Sequence, residues 1–185
     1  RKQAQDWLDE HEGDIQGDNM GKYMFYKAAT VACDGAITLT LRYAELAKEK
    51  AKTEKNSERK AELEKMSEGL YWIAENPART FWEACQQVML YNVFLKVDND
   101  PGVTSMGRFD QYTWPYLKKD LEEGTITLDK AQELVDAFFL KINTFYGGGL
   151  GKTWQTAGIG HLGQHTTICG VIPETGEDAT NPVSY

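Results

Sequence analysis

A glycine run at residues 146–154, YGGGLGKTW, comes within one residue of a phosphate-binding loop. Such a loop needs Gly, four variable residues and then Gly-Lys-Ser/Thr. Gly151, Lys152 and Thr153 supply its end, but Tyr146 occupies the position of the first Gly. A phosphate loop also lies between a strand and a helix, whereas the pattern before the run predicts a helix and no helix pattern follows it. The sequence therefore disfavours nucleotide binding, and the glycines are expected to let the backbone pass close to a packed neighbour or a small ligand.

The other reactive side chains form no catalytic or metal-binding pattern. His161 and His165 are four residues apart, a spacing that brings two ligands together only on a helix, and the glycines around them disfavour a helix. Cys33, Cys85 and Cys169 are odd in number and far apart, which predicts reduced, buried and inert thiols. No Ser-His-Asp order or catalytic carboxylate pair can be argued from the spacings. We expect no metal site and no catalytic residue in this chain.

The composition is that of a globular, acidic protein. Of its 185 residues, 41% are apolar and 26% are charged, and the formal net charge is −8. An acidic chain repels nucleic acid and anionic membranes, so neither is an expected partner. No apolar run approaches the roughly 20 residues of a membrane span, and no signal-peptide pattern opens the chain. Together with the reduced thiols, this predicts a cytoplasmic protein.

Periodicity and capping residues predict a mainly helical chain with one strand. Residues 20–52 form the longest helical pattern, and a solvated, charged hairpin tip separates it from a second helix over 57–75. Asn76 and Pro77 are typical of a cap and a first-turn proline, and they open a helix that runs to about residue 97 and is apolar nearly all round. A helix closed by Gly124, a helix capped by Thr127 and a strand over 164–172 follow.

Two further patterns concern burial and the end of the sequence. The predicted buried face of the first long helix recurs at spacings of three and four and comprises Phe25, Ala28, Ala29, Ala32, Ala36, Leu39, Tyr43, Leu46 and Ala47. Near the end, Thr180, Asn181 and Pro182 are typical of a helix start. A domain rarely ends where a helix should begin, and the sequence starts without Met, so we expect a piece of a longer protein.

One segment carries a resemblance to a known family. TSMGRFDQYTWPYLKKDLEEGTITLDKAQELVDAFFLK, residues 104–141, resembles the glycyl-radical enzymes of the pyruvate formate-lyase family. Members commonly carry a Ser-x-Gly-Arg-Phe-Asp-Gln-Tyr segment, Pro-Tyr, Asp-Leu, a Gly-x-Ile/Leu-Thr turn and an Ala-Gln-Glu-Leu helix. LRYAELA (41–47), PARTFWEACQ (77–86) and GEDATNPVSY (176–185) are similar to further family segments in the same order.

The resemblance implies an α/β fold, in which a ten-stranded barrel is wrapped in helices. Residues 1–185 would be part of this pyruvate formate-lyase-type domain, incomplete at both ends and mainly helical, with about one strand near 164–172. The resemblance also implies a protein glycyl radical that is installed by a separate radical-SAM activating enzyme. That radical abstracts hydrogen from a cysteine, and the thiyl radical attacks a small-molecule substrate in a dry pocket. A homodimer is expected when the protein is full length.

The two radical residues of the family fall outside this sequence. The Gly-Cys loop and the Arg-Val-x-Gly-Tyr radical motif of the family would lie beyond residue 185, so this chain alone is expected to be inactive. Two positions carry over as substrate-binding residues. Ser105 matches a serine that contacts substrate in the glycerol dehydratase branch, although a turn or cap hydroxyl is an equally good interpretation. Trp154 matches an aromatic pocket residue. Arg108 and Asp110 are expected to form an ion pair or a hydrogen-bond network.

The sequence favours certain branches of the family but does not identify the substrate. GRFDQYTWPYLKKDL is nearer to the eliminases and decarboxylases than to pyruvate formate-lyase itself, which stays an alternative. The Gly160-His161 pair replaces a Gly-Gly pair of the dehydratase pattern, which favours a sulfonate or carboxylate substrate over a diol. The function expected is a lyase that cleaves a C–C, C–O, C–N or C–S bond by thiyl-radical hydrogen abstraction. The alternative of another class is a non-catalytic helical interaction module.

The pocket interpretation of Trp154 yields a test in the full-length enzyme. An aromatic wall excludes water and positions the substrate, so Trp154→Ala should leave the glycyl radical content near normal while lowering turnover by roughly ten- to a hundredfold. Trp154→Phe should keep much of the activity because the planar apolar face survives. Spin quantitation beside steady-state turnover measures both effects. Normal turnover in Trp154→Ala would make the residue part of the core, and loss of the radical would make its role folding or activation.

Overall fold

A computed structural model describes residues 1–13, 16–98, 105–144, 166–168 and 170–185. These residues fall into two compact units, Arg1–Asn76 and Pro77–Tyr185. The elements, in chain order, are α1 (Lys2–Glu10), α2 (Asp18–Thr53), α3 (Ser57–Ile73), α4 (Phe81–Asp98), β1 (Gly107–Arg108), α5 (Phe109–Glu122), α6 (Leu128–Thr144), β2 (Thr166–Thr167) and a final 3-10 turn (Pro182–Ser184). The predicted fold class, mainly helical α/β, is confirmed.

The first unit is built on the contact between α2 and α3. Asn56 caps α3, because its side-chain oxygen accepts a hydrogen bond from the amide of Arg59 at 2.9 Å, and this satisfies one of the free amides of the first turn. In the middle of the contact, the buried hydroxyl of Ser67 donates to the carbonyl of Ala44 at 2.9 Å. Ala44 is completely buried. The two helices are therefore close enough here for a side chain to reach the other backbone.

The predicted buried face of α2 is largely wrong. Phe25, Tyr43 and Leu46 are exposed, whereas Thr30 and Thr40 are buried. Each buried hydroxyl donates to a carbonyl of its own helix, at 2.8 Å from Thr30 and 2.9 Å from Thr40. A threonine whose hydroxyl is satisfied in this way presents mainly its methyl group to the core. A pattern of apolar residue types does not detect such a face.

In the second unit, α4, α5 and α6 share one core. Phe109 stacks on Phe138, with ring centroids 4.7 Å apart, and the final turn contributes Val183 to the same cluster. Helix α4 is not buried on all sides within the described residues, since Tyr91 is 61% and Val97 is 72% exposed. The buried residues of the cluster are Phe81, Cys85, Phe109, Leu117, Ala131, Phe138, Ile142 and Val183.

Helix α4 begins four residues later than the Asn76-Pro77 pattern predicts. The hydroxyl of Thr80 accepts from the amide of Glu83 at 3.2 Å, and the carboxylate of Glu83 accepts from the amide of Arg79 at 2.7 Å. The amide of Phe81 donates to the buried carboxylate of Asp120 at 2.8 Å. A Thr followed three residues later by Glu is itself a helix-start pattern, and here it prevails over the proline.

Three other predicted helix starts and stops of the second unit are confirmed. Thr127 precedes α6, and its hydroxyl accepts from the amide of Lys130 at 3.2 Å. Gly124 follows α5 with a φ of +69°, a conformation that glycine adopts without the strain of a Cβ. Asn181 caps the final turn by accepting from the amide of Val183, and Pro182 is its first residue.

The sheet holds one correction to the prediction. The strand predicted over 164–172 is present as Thr166–Thr167, and its partner β1 was not predicted. The two strands are parallel and pair Gly107 with Thr166 and Arg108 with Thr167. Two residues are too few to show the alternation that identifies a strand. Among the described residues, the helices include none with the length and apolar character that crossing a membrane requires.

The α2–α3 contact predicts a stability difference between two alanines of the same helix. Ala44→Leu should destabilise the first unit by about 1 to 3 kcal/mol, because a larger side chain at a fully buried position forces the helices apart. Ala28 is exposed, so Ala28→Leu should change stability by less than about 0.5 kcal/mol. Hydrogen exchange of the α3 amides measures both variants. Equal protection in the two would contradict the described contact.

Candidate functional site

Of the two predicted substrate-binding residues, Ser105 is described and Trp154 lies outside the described residues. The glycine run 146–151, Lys152, His161, His165 and Cys169 also lie outside them. The site can therefore be built from Ser105 and its surroundings. Ser105 is exposed and stands two residues before β1.

Ser105 opens onto a cleft of about 450 Å³ in the second unit. The polar groups of its lining are a hydroxyl, two carboxamides and two phenols, and among the described residues that line it none is charged. Asn92 is only 1% exposed, so it lies at the buried end of the cleft. Such a lining can donate hydrogen bonds to and accept them from a small uncharged group. The described lining consists of Gln87, Val88, Tyr91, Asn92, Ser105, Met106 and Tyr112.

The segment that carries Ser105 is held mainly from α5. The hydroxyl of Ser105 accepts from the amide of Gly107 at 3.4 Å, which is a long and weak hydrogen bond. The phenol of Tyr112 donates to the carbonyl of Met106 at 3.1 Å. Burial raises the pKa of Tyr112 to about 12, which strengthens the preference for the protonated form that a phenol already has at neutral pH. Both interpretations of Ser105, turn hydroxyl and cleft residue, are compatible with this geometry.

Arg108 and Asp110 enter separate networks instead of pairing with each other. The guanidinium of Arg108 donates to the carbonyl of Val171 at 3.1 Å. It lies against Gly170, where an added Cβ would be 3.4 Å from its Nη2 atom and where φ is +122°. Only glycine adopts that backbone conformation readily. The pair therefore ties the start of α5 to the chain that follows β2.

The carboxylate of Asp110 is completely buried and lies in a network that joins α5 to the final turn. It accepts from the hydroxyl of Ser184 at 2.6 Å and from the side-chain amide of Gln111 at 2.9 Å. Gln111 also donates to the carbonyl of Ala179 at 2.8 Å. The side chain of Asn181 donates to the backbone carbonyl of Asp110 at 3.4 Å. This network is structural, because its hydrogen bonds link the start of α5 to the final turn.

The buried thiol of Cys85 is not activated as a nucleophile. Burial raises the pKa of the Cys85 thiol to about 12, so this sulfur stays protonated and is a poor nucleophile. Cys33 is half-buried on α2. Within the described ranges, no three His, Cys, Asp or Glu side chains come together as a metal site would require.

Gln87, Asn92 and Tyr112 were missed by the sequence analysis. Gln87 and Asn92 are polar residues of a largely apolar helix, and a polar residue that is buried needs a partner inside the fold. Their presence in that helix was the available signal. Tyr112 was part of the quoted motif, but nothing in the sequence shows that its hydroxyl returns to residue 106.

Comparison with known proteins decides the family. A model of the pyruvate formate lyase-like family matches residues 1–185. The chain belongs to the pyruvate formate lyase-like family. The family resemblance found in the sequence is confirmed.

Similar members of the family have several activities. The isethionate sulfite-lyase of Nitratidesulfovibrio vulgaris is 40% identical over 170 residues, which are 91% of this chain and 20% of that protein. The (2S)-3-sulfopropanediol dehydratase of Klebsiella oxytoca is 34% identical over 161 residues, 86% of this chain and 19% of that protein. The glycerol-bound B12-independent glycerol dehydratase of Clostridium butyricum aligns with a TM-score of 0.86 at 32% identity, over 100% of this chain and 23% of that chain. This family member therefore spans about a fifth of the length of its relatives.

The Asp110 network predicts that removing the Ser184 hydroxyl costs more stability than removing the Thr180 hydroxyl. In the full-length family member, Ser184→Ala should lower the local free energy of unfolding by about 1.5 to 3 kcal/mol, because it removes a hydrogen bond to a buried carboxylate. Thr180 donates to the exposed carboxylate of Asp178, so Thr180→Ala should cost less than about 0.5 kcal/mol.

Hydrogen exchange of the first α5 amides and of residues 179–184 measures the difference between the two variants. Equal effects would show that the buried Asp110 carboxylate is satisfied without Ser184.

Proposed function

We propose that the chain is part of a glycyl-radical lyase that cleaves a bond of a small substrate by thiyl-radical hydrogen abstraction. Two observations support the proposal. The chain matches the family over its whole length, and the relatives named above are lyases or dehydratases. Because the chain spans only about a fifth of those relatives, the activity is a property of the longer protein. The radical glycine and the cysteine would come from outside residues 1–185.

The contribution of this chain would be to bind and orient the substrate. The polar groups that line the cleft are uncharged, and among them the Ser105 hydroxyl belongs to an exposed residue. A substrate hydroxyl can exchange hydrogen bonds with these groups without a charged partner. An anionic group would be costly to bury in a lining of this kind. We therefore assign the hydroxyl-bearing end of the substrate to this cleft and the anionic end to other parts of the protein.

The substrate class we propose is a small hydroxyalkyl sulfonate. The observation that carries this is the identity to two relatives named for such compounds, at 40% and 34%. For isethionate, HOCH₂CH₂SO₃⁻, hydrogen abstraction at the hydroxyl-bearing carbon and cleavage of the C–S bond would give acetaldehyde and HSO₃⁻ once hydrogen is returned. Atoms and charge balance without an added oxidant or reductant.

Several partners follow from this proposal and stay predictions. A radical-SAM activating enzyme would install the glycyl radical, the full-length protein would be a cytoplasmic homodimer, and neither nucleic acid nor membrane would bind. The family also bears on the alternatives. The relatives reported above favour a lyase over pyruvate formate-lyase itself, and membership in an enzyme family disfavours a non-catalytic helical module.

The function is tested on the full-length protein after anaerobic activation. Glycyl radical is quantified by electron paramagnetic resonance, and isethionate and 2,3-dihydroxypropane-1-sulfonate are supplied in parallel. We expect sulfite and acetaldehyde in equal amounts from isethionate, and no product from residues 1–185 alone. Loss of water from the diol sulfonate, with its sulfur retained, would make the protein a dehydratase. A full radical signal with neither product would overturn the sulfonate assignment, and absence of any radical would overturn the glycyl-radical assignment.

A further inference from the structure

Tyr112 is the one cleft-lining residue on α5 among the residues that the structure describes, and its position is well fixed. Its ring lies edge-on to Phe109, with centroids 5.8 Å apart, and Phe109 is 2% exposed in the core of the second unit. The preceding turn of α5 is tied to the final segment through Asp110 and Gln111. The Tyr112 phenol, whose residue is 39% exposed, therefore extends from a helical turn that is joined to the core and to the final segment.

The segment that carries Ser105 has fewer constraints of its own. The internal hydrogen bond of this segment, from the Gly107 amide to the Ser105 hydroxyl, is 3.4 Å long. Strand pairing begins only at Gly107. Between these two points, the carbonyl of Met106 accepts from the phenol of Tyr112 at 3.1 Å. This hydrogen bond links the Ser105 segment to α5.

We propose that Tyr112 is a positioning residue for Ser105. Its hydroxyl holds the Met106 carbonyl and so keeps the Ser105 hydroxyl at a fixed place on the wall of the cleft, where it can meet the hydroxyl of the substrate. Tyr112 acts through the backbone of Met106, and its own phenol oxygen is engaged there. The inference rests on the proposed function, because it assumes that the Ser105 cleft receives substrate.

The alternative is that Tyr112 only packs against Phe109. Tyr112→Phe separates the two roles, since it keeps the ring and removes the hydroxyl. A matched control is Tyr116→Phe, one turn further along α5. Tyr116 packs against the core cluster, and the described lining of the cleft does not include it.

The first measurement is hydrogen exchange in the full-length protein without activation. Tyr112→Phe should speed hydrogen exchange of the amides of residues 106–108 by about tenfold. The loss of one hydrogen bond favours local opening of the segment by about this factor. Tyr116→Phe should leave these amides unchanged. Unchanged exchange in Tyr112→Phe would overturn the proposal, whatever the enzyme's activity proves to be.

The second measurement is the steady-state kinetics of the activated enzyme on its sulfonate substrate. Tyr112→Phe should raise KM by about five- to tenfold with kcat within about twofold, because a misplaced Ser105 weakens binding in the ground and transition states alike. In a Ser105→Ala background, Tyr112→Phe should raise KM no further, since the group that it positions is gone.

Two kinetic results would count against the positioning role. If Tyr112→Phe raised KM by the same factor in the wild type and in the Ser105→Ala variant, Tyr112 would act independently of Ser105. An unchanged KM would show that the hydroxyl is only structural. If the activated wild type turned over neither sulfonate, the proposed function would fail, and the exchange measurement would still decide whether Tyr112 holds the segment.

Discussion

A carboxylate with no access to water organises the second unit. Asp110 is completely buried at the start of α5, and a buried charge is tolerated only when donors surround it. Two of its donors are side chains, Gln111 beside it and Ser184 from the far end of the chain. The final segment must therefore return to α5, although some 70 residues separate the two in sequence. The same demand orients α5, because its first turn has to present the carboxylate inward, where the positive end of the helix also favours it.

The cleft follows from that orientation. Once Asp110 is directed inward, Phe109 enters the aromatic cluster with Phe138 and Phe139. Tyr112, one turn on from Phe109, then lies beside the residues that precede β1. Helix α4 closes the other side with Gln87 and Asn92. The polar groups of the cleft thus come from three separate stretches of chain, and none of them needs to be flexible to form it.

Features set by residues close in sequence could be predicted, and features set by tertiary contacts could not. Thr127 and the Asn181-Pro182 pair were predicted as helix starts because a cap involves residues within one turn. The start of α4 was misplaced because two local patterns, Asn76-Pro77 and Thr80 with Glu83, compete there. The buried face of α2 was misjudged because Thr30 and Thr40 satisfy their own hydroxyls. Strand β1 and the Met106–Tyr112 hydrogen bond depend on tertiary contacts, which no periodicity encodes. Ser105 was singled out by family resemblance alone, and its partners required the fold.

Gly170 carries a consequence for how this region can diverge among family members. The space beside it would admit a methyl group in ordinary contact with the Arg108 guanidinium, at 3.4 Å. Its φ of +122° is the stricter limit, because an L-residue is strained there whatever surrounds it. Replacing Arg108 by a smaller residue would therefore not allow position 170 to accept a residue other than glycine. The two residues touch, but position 170 is restricted to glycine by its own backbone conformation, whatever side chain stands at position 108.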